Sequence, residues 1–244
     1  MREVLAIFRR EFGSYFATPL AYVFVLIFLM LAAACTFYLG GWFERGQADL
    51  APFFTFHPWL YLFLVPAISM RLWAEERKSG TIELLMTLPL ATWQAVTGKF
   101  LAAWAFVAVA LSLTFPLWLT VNYLGDPDNG VIAAAYLGSL GTAGGYLAIG
   151  SCLSATTRSQ VVAFVLTVVA CFLLMLAGHE LVLDAFRGWA PTALVEGVAS
   201  LSFLTHFQSI SRGVIDVRDL LFLAATVGLW LAATTVVLDM KKVG

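Results

Sequence analysis

The chain has 244 residues, 61% of them hydrophobic and 12% charged, with a net charge of −1 and a mean hydropathy of +0.89. A soluble domain carries about 25% charged residues, so there is too little here to coat a water-facing surface. The bilayer is expected to be the solvent for most of a polytopic, all-α membrane protein, and nothing in so small a net charge draws it to nucleic acid.

Residues 1–16 are not expected to be a signal peptide. Glu3, Arg9, Arg10 and Glu11 alternate with Val4, Leu5, Phe8, Phe12, Tyr15 and Phe16 at helical spacing. One apolar stripe opposed by charge predicts a helix lying in the membrane interface. Six apolar runs follow, near 19–39, 56–72, 100–123, 131–153, 161–177 and 220–238, each long enough for about 30 Å of hydrocarbon. The second is interrupted by His57-Pro58 and Pro66. Ala32-Ala33-Ala34-Cys35 loosely resembles a lipidation site but sits inside an unbroken apolar run. Cys35, Cys152 and Cys171 read as small packing residues.

The fourth run is rich in small residues, with Gly138, Gly141, Gly144, Gly145 and Gly150. They allow another helix to approach closely, either within the bundle or at a seam with a second copy. Residues 125–130 form a plain turn. Residues 179–219 are too long for a bare connection and hold Phe203, Phe207, Ile210 and Val214 at helical spacing. One or two short helices are expected there, serving as an anchor or as a gate.

Orientation follows from lysine and arginine. With both termini inside, Arg2, Arg9, Arg10, Arg71, Arg77, Lys78, Lys99, Arg158, Lys241 and Lys242 face the cytoplasm. Arg45, Arg187, Arg212 and Arg218 lie outside. Ten against four is a positive-inside bias.

What is missing narrows the chemistry. The six runs hold no Asp, Glu, Lys or Arg in their interiors, the residues a proton relay at membrane depth needs. Gly98-Lys99 is followed by Phe100, and Trp93 stands where a phosphate-binding loop would begin with glycine. Neither His57 nor the pair His179 and His206 has acidic or thiol partners at ligand spacing; they read as interfacial polar anchors. No nucleophile elbow is present. A non-enzyme without its own cofactor is expected, with any energy supplied by a partner.

The densest charge lies in residues 71–89. Ser79-Gly80 should break a helix, Thr81 is placed to cap a new one, and Glu83 falls in its positive first turn. Ile82, Leu85 and Met86 share a face there, with Leu88 on the flank and Pro89 near the end. A helix with an apolar face and an acidic start suits a groove on a soluble partner; a solvated connector would need neither the cap nor the exposed Leu and Met.

These residues carry a resemblance. Glu75-Glu76-Arg77-Lys78-Ser79-Gly80-Thr81-Ile82-Glu83-Leu84-Leu85, then Leu88-Pro89 and Gly98-Lys99-Phe100, resemble the signature of type-2 ABC transporter permeases. Phe8 to Phe16 followed by Pro19 resembles their N-terminal interfacial helix. His206-Phe207 through Ser211-Arg212-Gly213-Val214-Ile215-Asp216 resembles the gliding-motility-associated group, to which the copper-processing permeases of nitrous oxide reductase maturation are close.

The resemblance covers essentially the whole chain, as one permease domain over 1–244 with an interfacial helix at 1–16, a coupling segment at 73–98 and an outer helical segment at 179–219. It implies six spans in the bacterial cytoplasmic (inner) membrane, a second permease copy or a paralogue, and two ATP-binding-cassette subunits that bind ATP and magnesium. A companion subunit with a large outer domain often accompanies the gliding type. The implied ATPase contacts are Glu75, Glu76, Arg77, Gly80, Thr81, Ile82, Glu83, Leu85 and Met86, with Arg9, Arg10, Glu11 and Phe12 of the interfacial helix. Phe203, Phe207, Arg212 and Asp216 are the outer gate candidates. An exporter is the expected function; a subunit relaying ATPase motion to an outer partner without moving a solute is the alternative.

Overall fold

The computed structural model describes residues 2–82, 90–187 and 191–241, and among these every regular element is helical. In chain order they are α1 (Arg2–Phe16), α2 (Pro19–Ala34, ending in a π-helical turn, Cys35–Leu39), α3 (Trp42–Arg45), α4 (Ala51–Thr55), α5 (His57–Ser69), α6 (Arg71–Ser79) and α7 (Thr92–Ser112). Then come α8 (Phe115–Leu124), α9 (Asn129–Thr156), α10 (Gln160–Leu176), α11 (Glu180–Arg187), α12 (Thr192–Ala199), α13 (Phe203–Ser211) and α14 (Val217–Met240).

Among the described residues four helical stretches are long and apolar enough to cross a membrane: Pro19–Leu39, Thr92–Leu124, Asn129–Thr156 and Val217–Met240. The other two expected runs are also helices, α10 with 17 residues and α5 with 13. The third run bends rather than running straight. Pro116 has no N–H to give to Ser112, so the chain tightens at Leu113–Thr114 before α8 starts, and the Thr114 hydroxyl closes the gap on the Leu111 carbonyl at 2.6 Å.

α9 is the axis of the bundle, packed on α5, α6, α7, α10, α13 and α14. Its start is fixed by Asp128, whose carboxylate accepts from the Gly130 and Val131 N–H groups. Its glycines each seat a neighbour from the same chain. A Cβ at Gly138 would lie 2.8 Å from Ile210, at Gly141 2.7 Å from Leu223 and at Gly145 2.4 Å from Phe203. At Gly150 it would lie 2.0 Å from the Ser69 hydroxyl. These small residues therefore pack the bundle itself, the first of the two roles open from sequence.

Where one or two outer helices were expected, the described residues hold three, α11, α12 and α13. Phe203, Phe207 and Ile210 share one helix, as the spacing predicted, and are buried against α9, a packing the sequence did not indicate. Val214 does not join them: α13 stops at Ser211, Gly213 turns at φ +85°, and Val214 is exposed. The periodicity ran on past a glycine that ends the helix.

Candidate functional site

One end of the bundle collects the charge. There the N-terminus of α7 is bound to α1 by Gln94 donating to Glu3 (2.9 Å), and to α14 by Thr92 donating to Asp239. Gln94 also accepts from the Ala91 N–H at 3.0 Å, half of a capping box.

At the centre of this end is Lys99, about two turns into α7 and only 4% exposed. Its Nζ lies 3.1 Å from Glu11 Oε2 on α1 and 2.7 Å from Glu76 Oε1 on α6, and 5.5 Å from the centre of the Trp73 ring. Glu11 also takes Arg10 at 2.6 Å. Two cations and two carboxylates thus balance, joining three helices that are remote in sequence. Gly98 makes this possible, because a Cβ there would lie 2.8 Å from Ile7 and hold α1 off. Burial alone would raise the Glu11 carboxyl, but Lys99 and Arg10 outweigh it and hold it below the ordinary carboxylate value. A carboxyl lowered in the folded state contributes stability above its unfolded value and loses it as pH falls through the folded one. Acid below the ordinary carboxylate range should therefore weaken the hold of α1 on α7, and Glu11→Gln should flatten that acid limb in a thermal-unfolding series against pH.

α6 is anchored as firmly on its other side. The chain turns at Met70, leaving the Trp73 and Ala74 N–H groups without helical partners. Ser154 of α9 fills the joint: its hydroxyl accepts from Trp73 N (3.2 Å) and Ala74 N (3.0 Å) and donates to Met70 O (2.9 Å). Trp73 is fully buried and its indole N–H donates to Ser151 at 3.0 Å. In sequence, residues 71–78 read as an extension of the second run into water. Leu72, Trp73 and Ala74 are instead buried on α9, and only the Arg71, Glu75, Lys78 and Ser79 side faces outward.

Arg77 reaches the last turn of α9 and donates to Ala155 O at 2.7 Å. Lys241, just past α14, donates to the same oxygen at 3.2 Å and to Thr156 O at 2.8 Å. Cations on the negative end of a helix dipole are favourable. Burial, and then repulsion from Arg158, lowers the Arg77 pKa; burial, Arg77 and Arg158 do the same to Lys241.

α6 ends at Gly80 with φ +76°, the left-handed conformation that favours glycine. The Thr81 hydroxyl turns back on that end, within 2.9 Å of Ser79 Oγ and donating to Glu76 O at 3.4 Å. Ile82 packs at the edge of the core. Glu83, Leu85 and Met86, and with them most of the expected coupling helix, lie outside the described residues.

Among the expected contacts, Glu11, Glu76 and Arg77 are brought into these networks. Glu75 pairs with Arg71 at 2.8 Å on the surface, and Phe12 stacks on Phe8 and meets Phe16 edge-on. Arg9 is exposed. Beside them a cleft of about 290 Å³ is lined by Glu11, Tyr15, Arg71, Glu75, Glu76 and Lys99.

Sequence reasoning missed Lys99 as the hub. The available signal was a single lysine heading an apolar run, directly after a glycine.

At the opposite end, Phe203 and Phe207 are buried. Phe207 and Arg212 share a cleft of about 240 Å³ with Phe54 and Gln208. Asp216 caps α14 by accepting from the Arg218 N–H at 3.0 Å. Among the described residues no group of three His, Cys, Asp or Glu side chains is placed to hold a metal.

A comparison with curated proteins gave no match. Residues 5–240, nearly the whole chain, match the family model described as ABC-2 family transporter protein. That family is a membrane transport component, generally non-catalytic, and it implies association with ATP-binding-cassette subunits. With its apolar membrane-length helices and this match, the chain is a multi-pass membrane protein of the ABC-2 transporter family.

Proposed function

We propose that this chain is the permease subunit of an ATP-driven exporter in the bacterial cytoplasmic membrane, working as a pair of permeases with two ATPase subunits. In this reading it has six spans, with α5 and α10 as the short ones. The charged end and both termini face the cytoplasm, in keeping with the distribution of lysine and arginine. The residues after Gly80 dock on the ATPase, with α1 alongside. Kinship to the gliding-motility and nitrous-oxide-reductase groups, and a companion subunit outside, belong to the same reading.

The observation that carries it is the anchoring of α6. The helix leading to Gly80 is held by Lys99 to α1 and α7 and by Ser154 and Arg77 to α9. A push delivered just beyond Gly80 therefore moves four helices as one piece. ATP binding would close the ATPases, displace this piece, and tilt the spans that line the pathway. No acid–base or nucleotide chemistry is asked of the chain itself.

Two substitutions test the reading. Proline fixes φ near −65° and cannot take the Gly80 conformation, so Gly80→Pro redirects the exit from α6. Glu83→Lys reverses a charge in the docking segment. Both are expected to leave membrane insertion intact while abolishing transport and the stimulation of ATP hydrolysis in the reconstituted complex. Unchanged stimulation in both variants would overturn the docking assignment.

A further inference from the structure

The last turn of α9 gathers cations from three parts of the chain. Arg77 of α6 and Lys241, just past α14, both donate to the Ala155 carbonyl oxygen, and Lys241 also to that of Thr156. Arg158 follows in the short link to α10, exposed and without a side-chain hydrogen bond among the described residues. Burial first, and then repulsion among the three, lowers the Arg77 and Lys241 pKa values.

The opposing charge is missing. Among the described residues none of the three pairs with a carboxylate. The acids next to them in the chain are held elsewhere, Glu76 by Lys99 at 2.7 Å and Asp239 by Thr92. Helix ends supply little: α9 brings its negative end here and α10 its positive one, each worth about half a charge, so the two nearly cancel. Three full positive charges are left over.

Their place is the level of a membrane surface. α9 and α14 are both long enough to cross a membrane and both end here. Apolar side chains adjoin the cations, Met240 before Lys241 and Val161 and Val162 just after Arg158, and all three are exposed. α10 and α14 both pack on α9, so uncovered apolar helix borders the charge on the membrane side. A water-soluble acidic partner would meet the charges and leave this apolar border bare. A phospholipid covers both.

We propose that Arg77, Arg158 and Lys241 form a binding site for the phosphate of an anionic phospholipid, whose acyl chains lie along α10 and α14. The phosphate supplies the charge the cluster lacks, as in other basic pockets between membrane helices. Because Arg77 belongs to α6, the bound lipid braces the same end of the bundle that Lys99 ties together.

The test needs neither transport nor an ATPase and does not depend on which way the chain is inserted, so its failure would leave the proposed function standing. The full chain in a neutral detergent is offered equal amounts of phosphatidylglycerol and phosphatidylcholine with the same acyl chains, and the lipids retained are counted by native mass spectrometry. The parent is expected to retain phosphatidylglycerol in preference. A cation near an anionic lipid surface is worth about fivefold in affinity, so Arg158→Gln with Lys241→Gln is expected to lower that preference about 25-fold. The glutamine amide can still donate to the α9 carbonyls, and an unchanged unfolding temperature without lipid checks that the fold is kept. Arg158→Lys with Lys241→Arg keeps both charges and is expected to keep the preference, as is Arg45→Gln with Arg218→Gln, which removes the same charge at the opposite end. Equal retention of the two lipids by the parent overturns the proposal and leaves the cations to an acidic protein partner. Loss of the preference in the opposite-end variant overturns it as well. So does displacement of phosphatidylglycerol by inorganic phosphate at equal concentration, the mark of a bare anion site.

Discussion

Lys99→Met is expected to cost about 3–5 kcal/mol of folding stability, the usual result of removing one partner from a buried ionic group. The methionine fills most of the space, so the loss comes from charge rather than packing. Glu11 and Glu76, both bound to the ammonium in the parent, are left as neighbouring carboxylates with only Arg10 to offset them. Adding Glu76→Gln to the same chain removes the repulsion and is expected to restore part of the loss, a coupling that two independent defects would not show. Thermal unfolding of the purified protein, single variants against the double, reads this directly. If the two substitutions are additive, Lys99 is not the hub joining α1 to α6.

The second large effect belongs to Gly150. A Cβ at this position would fall 2.0 Å from Ser69 Oγ, 2.6 Å from Ser69 Cβ and 3.0 Å from Thr167 Cγ2. The hydroxyl could rotate away, but the Ser69 Cβ cannot move without its backbone, and Thr167 closes the other side from α10. Overpacking of a tight core costs about 1–3 kcal/mol, and Gly150→Leu is expected at or above the upper end, because α5 and α10 must both move off the axis helix. Gly228 on α14 is the contrast, since a Cβ added there would meet nothing within 4 Å; Gly228→Ala should gain about 0.5–1 kcal/mol from helix propensity. Monodisperse yield and unfolding temperature of the two variants separate a glycine that seats a neighbour from one that does not.

Much of the fold was legible because a bilayer imposes its rule along the chain. Apolar length gave the runs, and the amphipathic stripe of residues 1–16 gave α1. What could not be read was decided between segments. Trp73 looks like one more residue of a charged stretch; it is buried because Ser151 and Ser154, some 80 residues on, supply partners for its indole and backbone. Lys99 counted as one inside-facing cation, yet its place is set by two carboxylates on other helices. Arg77, Arg158 and Lys241 stand far apart in the chain, in no spacing that marks a site in sequence. Only the meeting of α6 and α14 at the end of α9 brings them together.

The sharing of one oxygen at the end of α9 bears on how the molecule is made. Ala155 O is approached by Arg77, from a helix that precedes α9, and by Lys241, from the far end of the last one. During synthesis Arg77 and the carbonyls can meet early, while the chain is still emerging. The contact with Lys241 must wait until residue 241 has left the ribosome and α14 is seated. Until then Thr156 O lacks the lysine donor it holds in the finished fold. A nascent chain stalled inside α14 should therefore have its early helices in place and this end still open to quality-control proteases, and the arrival of one lysine would mark the passage from nascent to mature.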